Sequence, residues 1–546
     1  MSARARRCCF EALGSALQEA ATLAQVSPTS IDEVATVNPT AGSIATSTYE
    51  SLPHIDERMI EQLLASLSTP DTRLTNEAAA MLEFLTHGRR NILNQFIGRE
   101  SVSTSMTQPV QKWDTFLPLG DARSLLVLHG KRLTWMHNTV HMPTFLREFD
   151  ENILKVECDR NWIALYYALL SVAHNFDKSD LICVLVSSAI RIAQCLNLHR
   201  LGLDDPGAGV NEVIDREVRK RVWWFLVRYD WLQIPFQNTC QIHYSQFNTP
   251  MPANCHDDEE RMIKDGRVDA QPAEICTTTT WTNCLAQMAI VMWRYHDRML
   301  RVDNTQTDDI DRRYNGVIRA DEEIKSLYLS WSDTLRDVNT TPSDNPATDG
   351  LPTALMPAML LMSIAQKIFT VHRQFQLSCF RDRRYAFSQL SCVTIAERSI
   401  EAFQRWSDCV EARICRRMWT TLSYMISCSI TLLLALLFKA QNALTHDWER
   451  LRAYVEYGKA FIGKEAPASS IARRGVRLLD ALMELERTSR FSSDIEADIG
   501  DTIRRVALAD DDSAEVNPGE GYQMVFPYGQ DLWESLMRDP TEGELI

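Results

Sequence analysis

Two short stretches of the sequence carry side chains that could bind a metal ion. His137 and His141 are four residues apart, a spacing that can place two imidazoles on one face of a helix. Pro143 interrupts a continuous helix there, and no Cys or carboxylate completes the set, so we interpret both as ordinary histidines near a helix end. Residues 255–260 (Cys-His-Asp-Asp-Glu-Glu) contain several ligand types, but adjacent side chains point in different directions. We therefore predict a solvated acidic loop at this position.

Acidic clusters in a helical sequence also suggest the chemistry of terpene cyclases, which bind Mg²⁺ through an Asp-rich helix. That chemistry needs carboxylates on one helix face, typically in the pattern DDxxD. Neither residues 257–261 (DDEER) nor residues 308–312 (DDIDR) have this spacing. The patterns GxxxxGK[ST], HExxH and GxSxG are absent, as is a GxGxxG that opens a helix. We assign no residue a catalytic, cofactor-binding or metal-binding role, and an all-α enzyme of small-molecule metabolism stays as an alternative.

A basic and aromatic run lies near the middle of the chain. Residues 219–224 read Arg-Lys-Arg-Val-Trp-Trp, and arginines beside aromatic rings are typical of a nucleic-acid-binding face. The other hypothesis is a helix that packs through its tryptophans and pairs its cations with neighbours such as Asp215 and Glu217. One basic turn is far short of a surface that follows a phosphate backbone. We therefore favour the packed helix.

The elements that must position these residues are helices. Residues 181–198 and 211–231 have apolar residues at spacings of three, four and seven, which predicts amphipathic helices. Strand-like alternation is nearly absent, so the body is predicted to be all-α, a large multi-helix regulatory domain. A disordered N-terminal linker is predicted at 27–53, and a surface loop at 337–352. Further helical periodicity lies at 355–375, 395–406, 418–444 and, more weakly, 455–466.

One segment of the chain has the composition of a membrane span. Residues 418–438 contain no charge over 21 positions, which is long enough to cross a bilayer. Four Ser or Thr residues lie in its first half, and amphipathic segments flank it. A helix that is apolar on all sides is also what the centre of a large helical domain requires. We therefore predict a buried core helix and no membrane partner.

Composition and charge exclude several classes of protein. Apolar residues make up 45% of the 546 positions and charged residues 24%, which excludes a mostly disordered, collagenous or multi-span membrane chain. The net charge is −15, of which −11 lies in residues 491–546, so the rest of the chain is near neutral. The overall acidic charge argues against nucleic-acid binding across the whole surface. The 14 cysteines form no CxxC pair, which indicates free thiols in a reducing compartment, the cytosol or the nucleus.

The acidic C-terminal segment also carries large apolar residues. Acidic and hydrophobic residues that alternate in this way are typical of a disordered activation segment, which orders when a partner's groove buries the apolar side chains. The alternative is a solvated tail whose Trp533 docks back on the body. Candidate activation residues are Phe526, Leu532, Trp533 and Leu536.

Four motifs in the middle of the chain resemble the regulatory middle region of fungal binuclear zinc-cluster transcription factors. An Ala-rich helix ends in a Leu-His-Arg element at 197–200, and a Glu-x-Arg-Arg-Arg-x-Trp-Trp-like helix follows at 217–224. An upstream His-x-Pro-x-Phe element and a downstream Pro-x-Asn-x-x-Asp element complete the set, whereas the usual Gly-Arg-Pro is replaced by residues 237–240 (Gln-Asn-Thr-Cys). The residues that match are His141, Pro143, Phe145, Leu198, His199, Arg200, Glu217, Arg219, Arg221, Trp223, Trp224, Asp230, Pro252, Asn254 and Asp257.

This resemblance implies a nuclear transcriptional regulator of a metabolic gene set, with secondary-metabolite biosynthesis as the favoured kind. It implies transcription co-activators, a homodimer or heterodimer, and a small-molecule effector as partners. The family reads DNA through six N-terminal cysteines that hold two Zn²⁺, but Cys8 and Cys9 are the only cysteines before Cys158. We expect either DNA contact through a partner, as a co-regulator or scaffold, or a coding sequence that lacks an upstream exon. The expected domains are 1–54 (linker), 55–134 (N-terminal helices), 135–490 (regulatory domain) and 491–546 (acidic tail).

Overall fold

The structure of the protein is a computed structural model that describes residues 119–508 with gaps. The gaps are 133, 153–161, 163–164, 167–168, 170–179, 205–207, 238, 304–309, 339–350, 352, 407–409, 443, 468 and 489–494. All described residues lie in one compact unit. The predicted N-terminal linker, most of the predicted N-terminal helices and the activation candidates therefore lie outside the described residues.

Almost all regular structure in the described residues is α-helical, which confirms the predicted all-α class. Four short 3₁₀ turns lie at Leu198–Arg200, Tyr244–Gln246, Arg373–Phe375 and Arg383–Tyr385. The helices are α1 Leu119–Arg132, α2 Thr134–His137, α3 Met142–Asn152, α4 Asp180–Cys195, α5 Val210–Leu232, α6 Ile234–Gln237, α7 Glu259–Met262, α8 Thr280–Asp303, α9 Ile310–Ser330, α10 Asp333–Arg336, α11 Met356–His372, α12 Ser378–Arg381, α13 Ala386–Gln404, α14 Val410–Arg417, α15 Trp419–Leu437, α16 Trp448–Gly463, α17 Ser470–Thr488 and α18 Ile495–Leu508.

A single small hairpin interrupts the helices of the described chain. Its strands are β1 Ile263–Lys264 and β2 Arg267–Val268, paired antiparallel. Asp265 and Gly266 join them with φ angles of 51° and 73°. An Asp-Gly pair with positive φ at both positions is the preferred two-residue hairpin turn, so the local sequence accounts for this exception.

The uncharged segment forms the centre of the largest apolar core. Helix α15 is long and apolar enough to cross a membrane, but 89% of its apolar window is buried inside the protein. It packs against α11, α13, α14, α16 and α17, and the ring of Phe438 at its end stacks on Phe380 at 5.4 Å. The prediction that this segment is a core helix is confirmed.

Two glycines allow the neighbouring helices to approach α15 closely. A Cβ atom at Gly475 of α17 would overlap the side chain of Ile426, and a Cβ atom at Gly458 of α16 would overlap that of Ser429. Both positions therefore require the smallest residue for packing rather than for backbone freedom.

Three hydroxyls on α15 are satisfied within their own helix. Ser427 Oγ donates to the carbonyl of Ser423 at 3.0 Å, and Thr431 Oγ1 donates to that of Ser427 at 2.9 Å. Ser429 Oγ does the same with Met425 at 2.9 Å. Bonds to the carbonyl four residues back let polar side chains lie in an apolar core without partners from elsewhere.

The folded body extends past the domain boundary expected at residue 490. Helix α18 packs on α17, and Ile495 and Ile499 belong to the same core as α15. Thr502 is also buried. Part of the segment that we grouped with the acidic tail is thus an amphipathic helix of the body, and the described chain ends at Leu508.

Two smaller apolar clusters lie on the N-terminal side. One joins α4, α5 and α8 through Ile190, Trp223, Trp231 and Ala289. The other contains Phe145 and Phe149 of α3 with the described Trp162 and Tyr166. The first of these clusters contains Leu198, Trp223 and Trp224 of the family motifs and is the setting of the candidate site.

Candidate functional site

Three of the four family motifs come together around α5, in what we call the motif region: residues 197–204, α5 and residues 247–257. Helix α4 ends at Cys195, and Asn197 follows with a φ of 57°. This left-handed residue turns the chain, as asparagine tolerates better than most residues. The predicted helix end near residues 197–200 agrees with this geometry.

The Leu-His-Arg turn is tied to residues almost fifty positions later. Thr249 Oγ1 donates to the carbonyl of Leu198 at 2.5 Å and accepts the backbone N–H of Leu201 at 3.2 Å. The backbone N–H of Asn248 donates to the carbonyl of His199 at 3.0 Å. Leu198 is buried, whereas Arg200 is exposed. The turn therefore works as an attachment point between α4 and the segment after α6.

Arg216 fixes the remainder of the same turn. Its guanidinium donates to the carbonyls of Leu201, Gly202 and Leu203 at 2.5–2.9 Å and pairs with Asp204 at 2.6 Å. A planar group with five donors can satisfy several backbone carbonyls that would otherwise lack partners. Sequence reasoning missed this residue because nothing in its local pattern shows that a loop lies within its reach.

The tryptophans of α5 are buried and anchor the loop that crosses them. The indole N–H of Trp224 donates to the carbonyls of Thr249 and Pro250 at 3.2 and 2.9 Å. The ring of Trp223 lies 5.8 Å from that of His199, and burial followed by the charge of Arg200 lowers the pKa of His199. These contacts confirm that tryptophans pack this helix.

Asp230 caps the chain after α6. Its carboxylate accepts the backbone N–H of Gln241 at 3.0 Å and that of Ile242 at 2.8 Å. Burial raises the pKa of Asp230 although both hydrogen bonds oppose the shift. Trp231 completes this anchor, since its indole N–H donates to the carbonyl of Ile242 at 2.8 Å.

Glu217 and Lys220 form a buried pair one turn earlier on α5. One oxygen of Glu217 accepts the backbone N–H of Ala253 at 2.7 Å, and the other lies 3.3 Å from Nζ of Lys220. Lys220 also donates to Asp204 at 2.9 Å. A buried charge requires such partners, because an unpaired ion in an apolar interior is strongly destabilising.

Arg221 is the centre of the polar interior. Its side chain is 2% exposed and donates to Asp257 at 2.5 Å, to Asn138 at 3.1 Å and to the Cys255 sulfur at 3.3 Å. Burial opposes its charge, but Asp257, Cys255 and Glu217 together raise its pKa above the ordinary value. The same burial raises the pKa of the Cys255 thiol to about 11, so this cysteine is a weak acceptor and not a reactive thiolate.

This geometry corrects the prediction of a solvated acidic loop at 255–260. Cys255 and Asp257 are buried, and Asp257 holds Arg221. Asp258 and Arg261 alone form the exposed ion pair expected of a surface loop. The prediction was wrong because the partner of Asp257 lies 36 positions earlier, on a helix that local sequence does not connect with it.

Asn254 organises the segment between the hairpin and α8 through its side-chain amide. Its Nδ2 donates to the carbonyls of Pro272 and Ile275 at 3.0 and 2.9 Å. Its Oδ1 accepts the hydroxyls of Thr277 and Thr280 at 2.7 and 2.8 Å. The buried Pro252 contributes its carbonyl, which accepts from Asn283 at 3.0 Å. The Pro-x-Asn element thus connects the start of α8 to α5.

The His-x-Pro-x-Phe element starts α3. His141 occupies the position before the helix, where its Nδ1 hydrogen bonds with the Thr144 hydroxyl at 2.8 Å and its carbonyl accepts the N–H of Phe145. Pro143 lies in the first turn, where a missing N–H has no cost. The ring of Phe145 stacks on Trp162 at 5.4 Å. His137 ends α2, so the two histidines lie on different elements.

The basic run on α5 does not form an exposed, unpaired basic surface. Lys220 and Arg221 are buried in ion pairs, and Arg219 pairs with Asp215 at 2.5 Å along the helix. These contacts confirm the prediction of a packed, internally paired helix. The charges of this basic run are therefore already paired with carboxylates of the same body. The motif region acts as a structural scaffold that holds α4, α5 and α8 together.

No group of three or more His, Cys, Asp or Glu residues among those described could hold a metal ion. Asp257 already forms an ion pair with Arg221, and Asp308 lies outside the described residues. The cavity at the motif region has a volume of about 10 Å³, enough for one water-sized group. That volume is far below what a drug-sized ligand or cofactor occupies.

The chain is similar to curated proteins that are named as fungal or biosynthetic transcription factors. The agnestins biosynthesis cluster transcription factor AgnL11 of Paecilomyces divaricatus is 22% identical over 386 residues, which cover 68% of this chain and 52% of that protein. The probable transcription factor lepB of Aspergillus flavus is 26% identical over 152 residues, 25% of this chain and 26% of lepB. The Zn(2)-C6 fungal-type transcription factor pigI of Monascus ruber is 23% identical over 216 residues, 39% of this chain and 25% of pigI.

The chain thus spans about half the length of the first of these relatives and about a quarter of the other two. No protein-family model matches it, and no solved structure matches it with significance. The relatives are fungal transcription factors, which supports the resemblance carried by the motifs around α5.

Proposed function

We propose that this protein is a transcriptional regulator of fungal type that controls a biosynthetic gene set, with secondary metabolism as the favoured kind. The observation that carries the proposal is the 386-residue match to a transcription factor named for the agnestins biosynthesis cluster. The internally paired motif region agrees with this role, because it organises a helical body, and the cavity that its described residues line has room for one water-sized group. We assign the chain no enzymatic activity.

Contact with DNA is proposed to follow one of two routes. The relative from Monascus ruber is named as a Zn(2)-C6 type, and such a cluster needs six cysteine thiolates around two Zn²⁺. The sequence has Cys8 and Cys9 before Cys158 and no others in that stretch. The regulator therefore acts through a zinc cluster encoded upstream of this sequence or through a DNA-binding partner, in either a homodimer or a heterodimer. Mapping the 5′ end of the native transcript separates these routes.

Deletion of the gene tests the proposed function directly. Transcript levels across the genome should fall in at least one group of neighbouring biosynthetic genes, and re-expression of the chain should restore them. A fluorescent fusion should accumulate in the nucleus. An unchanged transcript profile under conditions in which the gene is expressed would contradict the proposal.

The tail is proposed to recruit transcription co-activators. A fusion of the full chain to a heterologous DNA-binding domain should activate a reporter, because the acidic residues keep the apolar side chains available for a partner. Replacement of Trp533 and Leu536 by Ala should reduce that activation severalfold, as should replacement of Phe526 and Leu532. Replacement of Gln523 and Gln530 by Ala is the matched control. If Trp533→Ala instead lowers only the stability of the body, the tail docks on the protein and does not activate.

A co-regulator or scaffold without DNA contact is the second candidate. Within the given residues, Cys8 and Cys9 are the only cysteines before Cys158, and two thiols cannot form a binuclear cluster by themselves. Affinity capture of the tagged chain from its own nuclei should then recover a zinc-cluster protein. Direct binding of the purified chain to promoter DNA would contradict this candidate.

A further inference from the structure

A groove lies between α17 and α18, close to the end of the described chain. It has a volume of about 500 Å³, which is within the range of ligand-binding pockets. One face of α17 from Arg477 to Thr488 forms one wall, and Thr502, Arg505 and Val506 of α18 form the other. The α17 wall is three helical turns long, or roughly 16 Å. The groove is therefore long enough to take a short segment of polypeptide.

The floor of this groove is apolar. Leu485 and Val506 line it, and both are partly buried side chains that pack against the largest core. Ala481 lies one turn before Leu485 on the same face of α17 and also lines the groove. An apolar groove between helices binds a peptide through side chains that are spaced three or four residues apart. The lining therefore favours a partner with a few large apolar side chains at that spacing.

The polar lining of the groove is basic. Arg477 and Arg505 both line it. Arg505 donates from Nη2 to the Thr502 hydroxyl at 3.1 Å, and among the described residues it takes part in no ion pair. Glu484 also lines the groove, but its carboxylate already pairs with Arg487 at 2.9 Å. Because potentials at an interface are complementary in sign, the groove favours an acidic partner.

Residues 531–537 of the tail have this chemistry. They read Asp-Leu-Trp-Glu-Ser-Leu-Met, so that Leu532, Trp533 and Leu536 recur at spacings of three and four with acidic residues between them. The whole segment 509–546 contains ten Asp or Glu residues and one Arg. The segment thus combines the apolar spacing that the floor favours with the charge that the two arginines attract.

The tail also begins beside the groove. Helix α18 ends at Leu508, two positions after Val506, which lines the groove. Residues 509–530 then connect α18 to residues 531–537. Two groups joined by a short linker meet at an effective concentration in the millimolar range. A second copy of the chain reaches the groove only at its concentration in solution, so the chain's own tail is the favoured occupant.

We infer that the groove between α17 and α18 is the docking site for residues 531–537 of the same chain. Trp533 packs on the apolar floor, and the neighbouring carboxylates face Arg477 and Arg505. The inference deepens the proposed function and rests on it in one respect. The docked residues are activation candidates, so docking in the groove and binding of a co-activator exclude each other.

Photo-cross-linking of the full chain tests this contact without any transcription assay. With p-benzoylphenylalanine in place of Trp533, irradiation should link position 533 to peptides of α17 and α18, which mass spectrometry identifies. In a mixture of ¹⁵N-labelled and unlabelled chains, the two peptides of each link should carry the same label. Links only to other parts of the body, links of mixed label, or no links at all would overturn the inference.

Two charge variants connect the link to this groove. Ala481→Glu places a carboxylate in the groove without deleting a packed side chain, and Arg505→Glu reverses the charge at an exposed position. Both should reduce the yield of the link severalfold, because they repel the acidic segment. Arg398→Glu, at an exposed position of α13 that does not line the groove, is the matched control and should keep the yield. An unchanged yield in both groove variants would contradict the inference.

The reporter fusion used for the tail separates docking from activation. Ala481→Glu and Arg505→Glu should raise reporter activity severalfold, since they release residues 531–537 to a co-activator, whereas Arg398→Glu should not. A link at position 533 without reporter activity in any of these chains would support docking and contradict the activation role. Reporter activity in a chain that forms no link would contradict docking and support the activation role.

Discussion

The motif region and the α15 core bury polar groups in opposite ways. Around α5, buried groups take partners from distant parts of the chain: Arg221 pairs with Asp257, and Thr249 bonds the carbonyl of Leu198. On α15, Ser427 and Thr431 bond carbonyls of their own helix. The first arrangement fixes which elements meet, whereas the second only makes a polar side chain tolerable in an apolar core. Specificity of assembly therefore resides around α5, and most of the apolar burial resides around α15.

The largest expected effect comes from breaking the buried ion pair. Asp257→Asn should lower the free energy of unfolding by about 3–5 kcal/mol, because it leaves Arg221 charged and buried without its main partner. Urea unfolding followed by circular dichroism measures this change. Asp258→Asn, in an exposed pair with Arg261, is the control and should cost less than about 1 kcal/mol. Equal losses in the two variants would contradict the claim that the burial of the Asp257–Arg221 pair stabilises the motif region.

Low pH should lower the free energy of unfolding, because the N-terminal side of the body contains buried histidines that are neutral in the folded state. Burial lowers the pKa of His129 to about 4, from an ordinary value near 6.5. Between these values the unfolded chain binds a proton that the folded chain does not, so stability falls as the pH decreases. The loss is on the order of 2–3 kcal/mol at pH 4. His137, whose pKa burial and Arg228 lower to about 3, acts in the same direction.

Urea midpoints measured from pH 7 to pH 4 test this prediction. His129→Gln should reduce the slope of stability against pH by up to about 1.4 kcal/mol per pH unit within that window. His243→Gln, at an exposed position, is the control. A slope unchanged by His129→Gln would contradict the assignment.

Packing around α15 gives a smaller expected change. Gly475→Ala should destabilise the protein by about 1–3 kcal/mol, because its Cβ would overlap the Ile426 side chain. Ile426→Val in the same chain should recover part of the loss. Gly463→Ala, whose nearest side-chain atom on Val476 is 3.9 Å away, is the matched control. Differential scanning calorimetry of the four chains would show whether close helix approach limits this core.

The smallest effect is expected for the self-satisfied hydroxyls. Ser427→Ala should change the free energy of unfolding by less than about 1 kcal/mol, since both ends of the lost hydrogen bond belong to one helix and its backbone ladder stays intact. Urea unfolding measures this value on the same scale as Asp257→Asn. A loss above about 2 kcal/mol would mean that α15 also depends on polar specificity.

The sequence predicted what depends on local periodicity, and it failed where distant pairing decides. Patterns within single segments were enough to predict three features: the all-α class, the burial of residues 418–438 and the packing of α5. The burial of Asp257 does not follow from a local pattern, since its partner Arg221 lies 36 positions earlier, on α5. Residues 491–546 are acidic as a whole, whereas α18 within them is amphipathic and packs on the core, which charge alone does not show.

Helix α15 also sets an order of events during synthesis. Two of the helices that cover it, α11 and α13, precede it in the chain, whereas α16 and α17 follow it. The ribosome must add roughly fifty more residues before that cover is complete, which takes several seconds at about 5–20 residues per second. During that interval the nascent chain displays an uncharged stretch as long as a membrane span. Correct sorting of this protein therefore depends on how quickly α11 and α13 shelter α15 before the rest of the cover emerges.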